Sequence, residues 1–286
     1  MTTVTPTRGP MLHPRITVLV RPNGTVQLGW DPEQAVIVQP PGPLEAVPAL
    51  LRLLDGSRTE GEILWRAREL GFGPEVAQSL LTQLAAAELL AADEPRARLR
   101  KVRVHGRGPL ADALLEGLRR IGLRAKHSLG RPCEPGIAEL DTERPDLLVL
   151  SDTLVPDPGL VTGLMRRRVP HLQVRVRDGR GIVGPLVLPG QTGCLRCADL
   201  RRAEFEPAWP QLAAQLLGRV GYASPAGVAM TAALALKEIE TVSFGRVEHP
   251  PATLNATLEV DLDTPHLDRR PWPAHPNCGC GESARV

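Results

Sequence analysis

No apolar run in this sequence approaches the roughly 20 residues needed to cross a bilayer, which excludes a helical membrane span. The N-terminus, MTTVTPTRGPMLHPR, lacks the apolar core of a signal peptide, so a soluble, cytoplasmic chain with no membrane partner is expected. An excess of one charge is missing as well. Lys and Arg number 34 against 32 Asp and Glu, a net of +2, and no block of either sign gives the footprint of a polyanion-binding protein. Aromatics are scarce, with one Tyr, three Phe and four Trp, while Ala, Leu, Pro and Arg abound; this reads as codon bias of a GC-rich genome rather than as physics. Internal repeats are absent.

What is present is enough for one large domain or two smaller ones, since 286 residues supply ample material for a buried core. After an N-terminal stretch expected to be disordered (1–10), the segment 11–92 reads as three strands and then three helices. ITVLV (16–20) and TVQLGW (25–30) flank the turn signal RPNG, and AVIV (35–38) follows. LEAVPALLRLL closes on DGS, TEGEILWRARELG opens on a Thr with acids in its first turn, and GPEVAQSLLTQLAAAELLAAD starts with Pro. In the last of these Val76, Leu80 and Leu84 form one apolar stripe. The pattern is that of a winged-helix-like module. A DNA-reading winged helix is excluded, because PEVAQSLLTQLAAAELL holds no Lys or Arg to contact phosphates.

A charged linker (93–100) leads to a second domain (101–286), where strand and helix alternate as in a parallel α/β sheet. KVRVHGRGPLADALLEGLRRIGL reads strand, glycine turn, helix; DLLVLSD reads as a buried strand ending in an acid; GIVGPLVLPG reads as a strand pair. Gly106 and Gly108 stand where a dinucleotide fold cradles phosphate on backbone amides. The competing reading, a tight turn without ligand, is favoured. Pro109 removes a donor and LRAKHSLG offers no acid for a ribose. Nothing resembling an oxidoreductase's catalytic residues accompanies the turn.

Five cysteines remain, and a reducing compartment disfavours structural disulfides. Cys133 in GRPCEPG stands alone and reads as a loop thiol. Cys194 and Cys197 in PGQTGCLRCADLRR, with Cys278 and Cys280 in HPNCGCG, supply the four soft ligands of a tetrahedral structural Zn2+. A redox dithiol fits the first pair but leaves the second unexplained; unliganded thiols are the third alternative. His275 is close enough in sequence to replace one Cys, but a plain loop position is its favoured reading.

The runs LPGQTGCLRCADLRRAEFEPAWPQLAAQL and RRPWPAHPNCGCG together resemble the ThiF-like (ubiquitin-activating-type) partner proteins of cyclodehydratases, in particular their actinobacterial branch, from clusters making thiazole/oxazole-modified ribosomal peptides. LLRLLDGSRTEGEIL is similar to the PqqD-like recognition element these proteins carry. The resemblance implies a PqqD-type module followed by a truncated Rossmann-like ThiF domain with a four-cysteine zinc site. It further implies a protein that binds a precursor's leader peptide and presents it to a YcaO-type cyclodehydratase, with a homodimer expected by analogy. The leader would add as a strand beside Val36, Ile37 and Val38, over pockets lined by Val76, Leu80 and Leu84. Asp152 stands at the position of a metal-binding Asp in adenylating relatives, but the stretch from Gly108 to Asp152 is too short for their phosphate-binding segment. A strand-end or capping role is therefore favoured for Asp152, ATP is not expected to bind, and the chain reads as non-catalytic. The alternative is an active ThiF-type adenylating enzyme acting on a peptide or carrier C-terminus.

Overall fold

The computed structural model describes residues 9–91, 98–129, 143–245, 250–264 and 266–280. The chain divides into two compact units, 1–94 and 95–286.

In the first unit β1 (Val18–Val20), β2 (Val26–Leu28) and β3 (Val36–Val38) form an antiparallel meander in that order. The RPNG turn joins β1 to β2: Gly24 adopts φ +82, and the Asn23 Oδ1 accepts from the Thr25 amide at 3.2 Å and its hydroxyl at 2.7 Å. Then come α1 (Val47–Arg52), α2 (Glu60–Glu69) and α3 (Pro74–Ala86). Thr59 starts α2 with a reciprocal cap, its Oγ1 accepting from the Glu62 amide at 3.3 Å while Glu62 Oε2 accepts from the Thr59 amide at 2.7 Å. The helices lie over one face of the small sheet, and Leu28, Val38, Leu50, Ile63, Phe72 and Leu84 form the centre of this unit's core. Among the described residues β3 pairs with β2 alone, so its outer edge carries no strand.

The second unit holds one seven-stranded sheet, ordered β10-β9-β8-β7-β6-β4-β5. Its elements are β4 (Val102–His105), α4 (Pro109–Arg120), β5 (Ala125–Ser128), β6 (Leu147–Ser151), α5 (Pro158–Arg166), β7 (His171–Arg177), β8 (Arg180–Val187), α6 (Leu195–Phe205), α7 (Trp209–Leu216), α8 (Pro225–Phe244), β9 (Ala256–Asp261) and β10 (Leu267–Pro271). The expected parallel sheet holds only for β5, β4, β6 and β7; β8, β9 and β10 run antiparallel, so the sheet is mixed. The reason is the Asp178-Gly179 pair, at φ +51 and +73, which turns the chain directly back from β7 into β8. The segment GIVGPLV, expected as a strand pair, is instead part of that single strand. Helices α4 and α8 cover one face, over Val104, Val149 and Val174. Leu148 and Leu150 of β6 point to the other face, where they pack with Leu160, Leu164 and the cysteines.

Candidate functional site

The glycine turn lies at the switch point of the parallel strands, where β4 is flanked by β5 on one side and β6 on the other, the usual place for a ligand in such sheets. Here the chain places one of its own carboxylates at the start of α4. Asp152, just past β6 and 1 % exposed, accepts from the Leu110 amide at 3.0 Å and the Ala111 amide at 2.9 Å, the first free donors of α4. A Cβ on Gly106 would overlap the Ser151 carbonyl and hydroxyl, and one on Gly108 would overlap the Asp152 carboxylate. The glycines therefore admit this carboxylate and strand end at close range. Gly106 donates to the Ser128 carbonyl at 3.3 Å and its own carbonyl accepts from His127 Nε2 at 2.7 Å, so both backbone groups of this glycine are bonded within the protein. Asp152 itself adopts φ +67, a conformation held by surrounding contacts such as its amide bond to Val174 O at 3.0 Å. Next to the turn, His105 accepts or donates through Nδ1 with Ser128 Oγ at 3.0 Å; burial, with the Arg103 and His127 charges, holds it below the usual imidazole range.

The four paired cysteines meet. Their sulfurs all lie within 4.8 Å of one another, with Cys194–Cys197 at 3.8 Å, Cys194–Cys278 at 3.5 Å and Cys197–Cys280 at 3.4 Å. Zn–S bonds of about 2.3 Å at tetrahedral angles require sulfurs ~3.8 Å apart, so this arrangement is the right size for a metal ion. The separations are also too long for disulfides. Two devices bring the pairs together. The Trp272 indole donates to the Cys194 carbonyl at 3.1 Å, and Gly193 lies so close to the Trp272–Ala274 backbone that a Cβ would meet it at 2.9–3.0 Å. Burial pushes the Cys194 thiol above its ordinary range and raises Cys278 to about 11. Burial also opposes ionisation of Cys197, but the His275 amide and the neighbouring Cys280 more than offset it and lower that thiol. His275 is not a fifth ligand. It is buried, with Nε2 on Glu204 Oε1 at 2.9 Å and Nδ1 accepting from the Asn277 amide at 3.2 Å. Cys133 lies outside the described residues.

In the first unit, a cleft of about 270 Å³ opens between the end of β3 and α3, lined by Gln39, Pro40, Pro41, Glu75, Val76, Ser79, Leu80 and Gln83. Of the candidate peptide-contacting residues, Val76 and Leu80 line it. Val38 and Leu84 are core, at 2 % and 0 % exposure; Val36 packs against that core, and Ile37 points outward, 52 % exposed. Gln39, just past β3, and Ser79 and Gln83, on α3, carry no signal of their own in the sequence, because an exposed polar residue is ordinary at such positions. A second hollow, apolar and of about 380 Å³, lies among α5, α6 and α7, lined by residues including Val161, Leu195, Trp209 and Leu217. Trp209 is fixed there by its indole bond to Asp199 at 3.1 Å and by Arg202 stacked 4.9 Å over its ring.

No described protein family and no curated protein matches the chain. Solved structures do. The heterocyclase TruD aligns with 97 % of this chain at TM-score 0.64 and 17 % identity, and a heterocyclase in complex with substrate and cofactor aligns with 98 % at 0.65 and 19 %. The fold is that of these heterocyclases and of MccB. The microcin C7 biosynthetic enzyme MccB, in complex with N-formylated MccA, aligns with 95 % of this chain at TM-score 0.60 and 12 % identity. The chain spans 43 % and 40 % of the two heterocyclase chains but 99 % of MccB. These likenesses show the fold of the chain.

Proposed function

We propose that this protein is a non-catalytic, leader-binding partner in the biosynthesis of a ribosomally made, thiazole/oxazole-type modified peptide. The observation that carries the reading is the open edge of β3 beside the cleft on α3. An extended leader adding to β3 would gain main-chain hydrogen bonds, and the Val76–Leu80 floor would take one aliphatic side chain. In this reading the unit is a PqqD-like recognition element, and the captured precursor is presented to a YcaO-type cyclodehydratase, raising its effective concentration at that active site. The fold shared with two heterocyclases and with an MccB solved on its MccA peptide supports the assignment. The metal proposed for the four cysteines is Zn2+, in a structural role, since all four ligand positions are filled by protein and none is left open for substrate.

Fluorescence anisotropy with the labelled leader encoded beside this gene tests the proposal. Saturable binding is expected, and Ser79→Arg, which fills the cleft from an exposed position, is expected to abolish it without lowering stability. No saturable binding to that leader overturns the reading.

A second reading, an adenylating enzyme, draws on the MccB structure solved with ATP, whose fold aligns with 95 % of this chain. Against it stands the Asp152 carboxylate on the α4 amides, where a nucleotide phosphate would compete with a built-in anion. ATP–pyrophosphate exchange by the isolated protein is expected to be absent; exchange would favour the enzyme.

A further inference from the structure

The N-terminal ends of the parallel strands, at the opposite end of the sheet from the glycine turn, bring together cations that are far apart in sequence. Val102 lies in register with Ala125 of β5 and with Leu147 of β6, and its amide donates to the Arg124 carbonyl at 3.4 Å, which sets Lys101 and Arg124 side by side ahead of their strands. The Asp146 amide donates to the Lys101 carbonyl at 2.8 Å, and Arg144, two residues earlier, donates from Nη2 to the Arg168 carbonyl at 2.7 Å, just ahead of β7. Arg124, Lys101 and Arg144 thus follow one another across β5, β4 and β6, with Arg100 next to Lys101 in the chain, all exposed.

We propose that this rim docks an acidic polypeptide segment laid across the strand ends. Among the described residues, the acids nearest the row are already engaged. Asp146 Oδ2 accepts from the amides of Arg100 and Lys101 at 2.7 and 2.8 Å, so its charge is held by main chain. Glu143 pairs with Lys126 at 2.6 Å and lies 3.8 Å from Arg103; Lys101 acts on it only from beyond salt-bridge distance. Arg100 and Arg124 make no salt bridge among the described residues. Arg119 and Arg120, at the C-terminus of α4, are left out of the count because they pair with Glu116 and complement the helix dipole. Two interstrand steps of about 4.8 Å give the row a length of about 10 Å, which about three extended residues would cover. Duplex nucleic acid fits poorly, because tight binding takes roughly six or more phosphate contacts, more than this row supplies. The exposed aromatics Trp30, Trp65, Phe205 and Tyr222 all lie outside these strand-end segments, so no base-stacking surface accompanies it.

The test uses the full chain and a fluorescein-labelled hexaglutamate probe, read by anisotropy. Saturable binding is expected at 20 mM salt, weakening about tenfold by 300 mM as screening shortens the reach of exposed charges. The charge reversals Lys101→Glu with Arg124→Glu, and separately Arg100→Glu, are expected to weaken it about tenfold or more while leaving the thermal unfolding midpoint in place, which shows that they fold. Absence of saturable binding at low salt, or equal binding by the reversed variants, overturns the proposal. Tighter binding of a 20-base-pair duplex than of the peptide also overturns it, in favour of nucleic acid. The readout is separate from leader binding, which Ser79→Arg reports.

Discussion

Asp152 puts a side-chain carboxyl group where a bound phosphate would otherwise meet the start of a helix. Two amide donors and a dipole stabilise it in a nearly dry site, and the two glycines exist to let it approach. Removing it in Asp152→Ala leaves the α4 donors without a partner, and a loss of about 1–2 kcal/mol is expected in a urea unfolding curve. Asp152→Asn, which keeps one acceptor oxygen, is expected to lose less. His171 contributes to acid sensitivity from a similarly dry place. Fully buried, it donates from Nδ1 to the Val169 carbonyl at 2.9 Å, while Nε2 has no partner among the described residues. Burial lowers it from the ordinary 6.5 to about 4, the Val169 bond offsetting only part of that. The unfolded chain therefore takes up this proton first, so His171 costs stability as pH falls from about 6.5 towards about 4 and adds no further loss below that. Urea midpoints measured across that window are expected to fall with acidity, with a shallower slope in His171→Gln.

At the scale of elements, β3 and α3 divide their labour between core and surface by side-chain direction. Val38 and Leu84 point in, Val76 and Leu80 reach the cleft floor, and Ser79 and Gln83 stand at its rim. Leu84→Ala is expected to destabilise the first unit by about 2–5 kcal/mol through the cavity it leaves. Peptide binding would then fall only because the unit unfolds, in contrast with the stable but non-binding Ser79→Arg. The apolar stripe on α3 was plain from its spacing. Its partition between core and cleft was not, because periodicity says which face is apolar and not which part of that face a neighbouring strand covers.

For the whole molecule, the decisive long-range link is the cysteine cluster, which joins residues 84 positions apart and pins the chain's tail beside α6. A bound Zn2+ adds its binding energy to folding. One equivalent of zinc by elemental analysis is expected, with none in Cys194→Ser. Chelation is expected to lower the thermal midpoint of the second unit by several degrees or more. A midpoint indifferent to chelator would count against a structural metal.

The sequence by itself determined the local pieces: the three strands and three helices of the first unit, the Thr59 cap, the Asn-Gly turn, the buried strand before Asp152 and the pairing of four cysteines into one cluster, but not α6, α7 or β10. Each follows from a period of two or 3.6, from capping chemistry, or from the number of ligands a metal needs. The reversal at Asp178-Gly179 was also written there, as a hairpin signal between two apolar runs, and taking the second run as a strand pair hid it. Only the tertiary structure decided that Asp152 caps the start of α4 beside the glycine turn, that His275 braces Glu204 rather than a metal, and that Lys101, Arg124 and Arg144 share one rim. Those outcomes depend on which strands become neighbours. Strand order is set by packing across the whole sheet, and no window of sequence carries it.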